Sequence, residues 1–449
     1  MHRPGHPHGA EPPTFDATRR RWLQALAALP VAAGAVGTAT PARASVKTSA
    51  RIVIAGGGLG GIAVANRLSR LLDGAKIILV DRKEEHNYQP GYTLVATGVW
   101  PMEKVRDRNA DFLPDGVQWV KEAVVEFDPE ARIVTTSGRR QIPYDYLVVA
   151  TGVQLDYAQI DGMDVGAIGS NGLASVYAGP QAAQATWAAM QAYVRTGGQA
   201  LMTLPATPLK CAGAPLKMTF MLRDRLQQAG MLDQTRISFQ SALGNVFGVK
   251  VVNDNVLQRW QALGVAVEFN HRLAAIDIGA RLATFATPEG EMVDKLYDFI
   301  HVVPPMRACD SVKNSPLAWQ EGPFAAGGWL EVDKTTLQHR RYPNVFGIGD
   351  VNGTPRGKTA ATVKKSAPIV AHNLVEAIAG RQPDEAFDGY TSCPLITREG
   401  SAMLIEFDYE GRLTPSLPLI EPLQESYFAW LMKYRMLKPA YLAVLKGRV

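Results

Sequence analysis

The chain is 449 residues long with 47% apolar and 20% charged residues, enough for two or three domains with their own cores, which excludes a disordered or fibrous protein. Its formal charge of +5 sits largely at the front, where five arginines against Glu11 and Asp16 give residues 1–44 a net +3. The +2 left for the remainder excludes a polyanion-binding footprint, and nucleic acid is not an expected partner.

The first 44 residues read as an address. Thr18-Arg19-Arg20-Arg21-Trp22-Leu23 precedes a moderately apolar stretch from Ala25 to Ala39, and Ala42-Arg43-Ala44 offers the small residues a signal peptidase reads. The arginine pair resembles a twin-arginine signal, with Trp22 where Phe is usual. Such a route exports proteins already folded around a cofactor. The expectation is a leader over residues 1–44, a mature chain from Ser45, and a place on the periplasmic side of the inner membrane. No later segment reaches the roughly 18 uninterrupted apolar residues that a spanning helix needs.

Arg51 to Ala55 is a short apolar strand, followed at once by Gly56-Gly57-Gly58-Leu59-Gly60-Gly61 and a helical pattern through Ile62, Ala65, Leu68 and Leu72. Strand, glycine turn and helix form a dinucleotide site. Gly56 allows the tight turn, Gly58 lets backbone approach a pyrophosphate, and Gly61 lets helix and strand pack closely. A second apolar run, Lys76 to Val80, ends in Asp81, placed to accept hydrogen bonds from a ribose.

Two later stretches decide between dinucleotides. Tyr144 to Gly152 and Asn344 to Asp350 resemble the later fingerprints of the glutathione-reductase-like flavoproteins. That resemblance implies FAD, a crossover to the second domain at Thr151 and Gly152, and contact of Gly349 and Asp350 with the ribityl and pyrophosphate region. Near the middle of the chain, Gly197 to Cys211 supplies a strand with no glycine turn after it. Two prolines and Lys210 stand where a pyrophosphate would need bare backbone, so a pyridine nucleotide is a poor electron donor here.

Cys211, Cys309 and Cys393 are too few for a disulfide scaffold and have no metal-ligand spacing, so no metal is expected. Cys211 lies between Lys210 and Lys217 before a helix starting near Ala214, where dipole and charge favour a thiolate. Cys393 lies 182 residues away, in a turn-rich entry to a strand from Ala402 to Phe407; spacing alone does not pair them.

The stretches KCAGAPLK, VDKTTLQHRRYPNVFGIGD, KTAA, FDGYTSCPLIT and EFDY resemble the sulfide:quinone oxidoreductases, in particular the class that includes the animal mitochondrial enzyme. The similarity runs from about Arg51 to the carboxyl end. It implies that Cys211 and Cys393 form a redox-active disulfide beside the flavin, with Cys309 a bystander. By the same resemblance, Lys358 stabilises negative charge on the reduced flavin, and Gln89 and Pro90 lie near the ring. His86 reads as structural. The implied partners are sulfide, a membrane quinone and a small sulfur acceptor. Since residues 81–97 hold no cysteine, FAD should be bound non-covalently. This also separates the chain from the competing reading, the flavin subunit of a flavocytochrome c sulfide dehydrogenase with a haem protein as acceptor.

Residues 426–449 are apolar and basic without one acidic residue, and Pro439 is expected to break them into two short helices lying in a membrane interface. The family places such helices at the quinone site. The fold expected is α/β, with two Rossmann-like FAD/NAD(P)-binding-type domains and a membrane-interacting C-terminal helical segment. Residues 45–160 and 301–380 would form a discontinuous FAD domain, 161–300 the second domain, and 381–449 the C-terminal region. Nothing in the residues decides between a monomer and a homo-oligomer.

Overall fold

The computed structural model describes residues 45–417 and 420–449, so the expected leader lies outside the described residues. Strand β1, Arg51–Ala55, is β-branched at three of its five positions, and Ile52, Val53 and Ile54 are fully buried. Such a run suits a parallel strand covered on both faces. Helix α1, Leu59–Leu71, follows directly; then come β2, Lys76–Val80, β3, Gln118–Val120, and β4, Tyr146–Val149. Burying each large aliphatic side chain of this sheet stabilises by roughly 1.5–3 kcal/mol.

A second sheet uses β5, Leu173–Ala174, β6, Gly198–Leu204, β7, Thr235–Ser241, β8, Val265–Phe269, and β9, Phe299–His301, all parallel, in the order β5-β9-β6-β7-β8. Its crossovers are α2, Pro180–Thr196, α3, Ala214–Gln228, and α4, Lys250–Leu263. The chain then returns: β10, Val345–Gly347, pairs in parallel with β4, giving the first sheet the order β10-β4-β1-β2-β3. One sheet is thus assembled from two distant stretches, which brings Gly349 and Asp350 to the carboxyl ends of β1 and β4, where ligands sit in open α/β sheets.

Helix α5, Ala360–Ile378, leads to a hairpin of β11, Thr391–Arg398, and β12, Ser401–Phe407, with Cys393 opposite Ile405 and Ser392 opposite Glu406. The tail differs from expectation. Helix α6, Tyr427–Leu431, runs through a π-helical turn over Met432–Met436 into α7, Leu437–Leu445. Pro439 therefore sits inside α7 and does not divide the segment. Proline is tolerated in a first helical turn, and the wider turn upstream takes up the irregularity. Among the described residues no helix is long and apolar enough to cross a membrane.

Candidate functional site

The glycine turn is shaped by contact distances. Gly56 adopts a φ of +116°, and a Cβ there would lie 2.3 Å from the Ala150 carbonyl oxygen; a Cβ on Gly61 would lie 1.9 Å from the Gly56 carbonyl oxygen. Neither position has room for another residue. Gly58 has nothing within 4 Å of such a Cβ and faces the open cavity. Asp81 braces the turn, its carboxylate accepting from the Gly57 amide at 2.6 Å and the Lys83 amide at 2.7 Å.

A cavity runs from this turn to the cysteines. Gly58, Gln89, Pro90, Gly152, Cys211, Gly349, Asp350, Lys358 and Cys393 line it, whereas Gly56, Gly61, Asp81 and Thr151 do not. The Thr151 hydroxyl is buried without a partner among the described residues, beside Gly152 at φ +71°. Bare backbone at Gly58, helix-start amides and a waiting hydroxyl suit a bound dinucleotide.

Asp350 is half-buried, and desolvation pushes its carboxyl above the ordinary value. Burial lowers Lys358 to about 7. Its Nζ donates to the Asp350 carbonyl at 2.6 Å and the Asn352 carbonyl at 2.9 Å, and lies 3.7 Å from the centre of the Trp329 ring. An ammonium has three donors, so one N–H is left beyond these two carbonyls.

Cys211 and Cys393 come together. Cys211 holds a φ of +52°, in the left-handed region where non-glycine residues are uncommon, and its amide donates to the Lys358 carbonyl at 2.9 Å. The strained turn thereby ties the cysteine to the lysine loop. Gly213 opens the approach: a Cβ there would lie 2.2 Å from the Cys393 sulfur. The expected disulfide is not present, because both cysteines are free thiols in the structure. Hydrogen bonding from Cys393 holds the Cys211 thiol well below its ordinary value against the opposing effect of burial, and Lys217 and Lys433 add to the shift. That same bond, together with burial, pushes Cys393 well up. The two sulfurs are thus polarised in opposite senses, with the thiolate favoured on Cys211.

Lys217, 3% exposed, places Nζ 3.6 Å from the Cys211 sulfur. Burial alone would lower its amine, but the two sulfurs outweigh burial and the net shift is upward. Lys210 is lowered to about 8 by burial. Cys309 is elsewhere, its thiol facing the Thr151 carbonyl at 3.6 Å and pushed up by burial. His86 links Asn109, at 2.7 Å, to the Tyr441 hydroxyl, at 2.8 Å.

Sequence reasoning put the tail at the membrane, beside the flavin and at the quinone site, and missed its approach to the cysteines. Lys433, counted among bases that meet headgroups, is 2% exposed, donates to the Pro90 carbonyl at 2.5 Å and acts on both cysteines. Burial lowers it to about 7, with Lys217 repelling it further. Lys438 also turns inward, to the Lys104 carbonyl at 2.8 Å and Asp107. An acid-free segment was the only signal. It fits cations facing thiolates as well as cations facing phospholipid.

A dinucleotide cradle at the first sheet, joined by one cavity to a polarised dithiol, defines a flavin-dependent oxidoreductase. Residues 50–198 match the pyridine nucleotide-disulphide oxidoreductase family. The chain is 38% identical over 405 residues to the mitochondrial sulfide:quinone oxidoreductase of Dictyostelium discoideum, covering 90% of this chain and 87% of that one. It is 36% identical over 415 residues to the mitochondrial sulfide:quinone oxidoreductase of Mus musculus, covering 91% and 89%. The sulfide:quinone oxidoreductase structure from Aquifex aeolicus superposes with a TM-score of 0.73 at 22% identity, covering 89% and 92%, and shares the fold. The chain belongs to the sulfide:quinone oxidoreductase family, and its cofactor is FAD.

Proposed function

We propose that the protein oxidises sulfide through the Cys211 and Cys393 pair and passes the two electrons by way of FAD to a membrane quinone. The observation that carries this is the meeting of both sulfurs with Lys217 and Lys433 on the wall of the FAD cavity. In the oxidised enzyme the pair is a disulfide. Hydrosulfide attacks the Cys393 sulfur, the S–S bond breaks, and a persulfide forms on Cys393 while Cys211 leaves as thiolate. Cys211 suits that role because its thiolate is already favoured. A small sulfur acceptor takes the outer sulfur of the persulfide and leaves the dithiol. Re-forming the disulfide releases two electrons, for which bound FAD supplies a two-electron relay. Gly56, Gly58, Gly61, Asp81, Thr151, Gly152, Gly349 and Asp350 would hold the cofactor, and Gln89, Pro90 and the remaining Lys358 N–H would face its ring.

The location belongs to the same proposal. Exposed Tyr427, Phe428 and Met436, with exposed Arg435, give the tail an outer face suited to a membrane interface, and the leader would deliver the folded protein to the periplasmic side.

The test is anaerobic flavin reduction by sulfide with sulfite supplied as sulfur acceptor, then reoxidation with a short-chain quinone against cytochrome c. Reduction by sulfide and faster reoxidation by quinone are expected. Cys211→Ser and Cys393→Ser should fall to background, whereas Cys309→Ser should keep most of the rate. Preference for cytochrome c, or equal loss in all three variants, would sink the reading.

A further inference from the structure

Tyr88 is 1% exposed, yet its hydroxyl has no hydrogen-bond partner among the described residues. Buried hydroxyls ordinarily find one. It lines the cavity shared by Cys211, Lys217 and Cys393, close enough to Cys211 for the thiolate to act on its phenol.

The phenols and lysines nearest the cysteines are engaged elsewhere. The Tyr177 hydroxyl donates to the Cys211 carbonyl at 3.3 Å, the Tyr441 hydroxyl pairs with His86, Lys433 donates to the Pro90 carbonyl, and Lys217 faces the Cys211 sulfur. The ring is fixed in place. Tyr441 packs edge-on at 4.9 Å, Trp100 lies at 6.1 Å, and the Tyr88 amide donates to the Val105 carbonyl at 2.8 Å. A side chain on Gly91 would meet the Tyr88 ring at 2.9 Å, so that glycine lets the ring seat.

We propose that the Tyr88 hydroxyl binds the incoming sulfur anion, of the hydrosulfide class, and holds it against the cysteine pair. The inference rests on the sulfide-oxidising reading above. A single O–H donor beside buried ammonium groups fits a small monoanion that accepts few hydrogen bonds. Burial raises the phenol well above its ordinary value, so it remains a donor across neutral pH. No covalent step is asked of it. Its part is to touch and orient the substrate.

The test is Tyr88→Phe in the purified holoprotein, which keeps the ring and removes only the hydroxyl. The sulfide concentration for half-maximal flavin reduction should rise about tenfold, the limiting rate should change less than about threefold, and FAD content and visible spectrum should stay as in the parent. Thiocyanate, a soft monoanion, should perturb the flavin absorbance with an affinity about tenfold weaker in the variant, independently of turnover. An unchanged sulfide dependence, or a lost or spectrally shifted flavin, overturns the inference alone. A parent protein whose flavin sulfide does not reduce overturns the functional reading and this inference together.

Discussion

The glycine turn at residues 56–61 and the tail at 427–445 both shape the same cavity, but by opposite means. The turn acts through what is missing: no side chain fits at Gly56 or Gly61, and Gly58 leaves bare backbone toward the ligand. The tail acts through what it delivers. Lys433 and Tyr441 arrive from over three hundred residues along the chain to meet Pro90 and His86. A site built on backbone geometry is local and leaves a motif, whereas one built on charge delivered over distance leaves only composition.

The sharpest way to separate the two is Gly61→Ala. Its methyl group would have to share space with the Gly56 carbonyl, so the turn must deform, and the protein should purify without FAD. Retention of stoichiometric flavin would show that the turn is more pliant than its contacts imply. Truncation after Glu425 comes next. Since Lys433 faces the cysteines, both flavin reduction by sulfide and quinone reduction should fall by about a hundredfold or more, about 2.7 kcal/mol of lost barrier lowering. A full rate of flavin reduction in the truncated protein would return the tail to a purely peripheral role.

Lys433→Met isolates the charge from the fold. Losing one of two cations beside Cys211 should raise that thiol and slow flavin reduction about tenfold at neutral pH, with partial recovery as the pH rises. A uniform loss at every pH would point to packing instead. The smallest effect is on stability. Lys358 and Lys433 have folded values of about 7 against an ordinary 10.5, both lowered by burial. Between those values the unfolded chain binds more protons, so stability should rise with pH across that window, and below about 7 the full cost remains. Urea unfolding of Lys433→Met should show a shallower rise than the parent; an identical slope would mean that Lys433 is already solvated.

The boundaries of β1 and β2 and the start of α3 were legible because period, composition and glycine punctuation all act within a few residues. Cys211 and Cys393 were legible through motif resemblance, and their approach needed the fold. Gly213 was not, since its need to be glycine is set by a sulfur 180 positions away. Pro439 misled for a related reason: a proline signals a break only when the helix around it would otherwise be uniform, and the π-helical turn before it changes the hydrogen-bond ladder.

That π-helical turn also sets an angular phase. Each residue advances an α-helix by about 100°, so one extra residue in a turn rotates everything after it by that much relative to an uninterrupted helix. With the wide turn in place, Lys433 and Tyr441 both point into the body of the protein. Deleting Met436 would leave the composition almost untouched while swinging Tyr441 off His86, and sliding Lys438 away from Asp107. The tail's inward contacts are therefore set by how many residues it contains as much as by which residues they are.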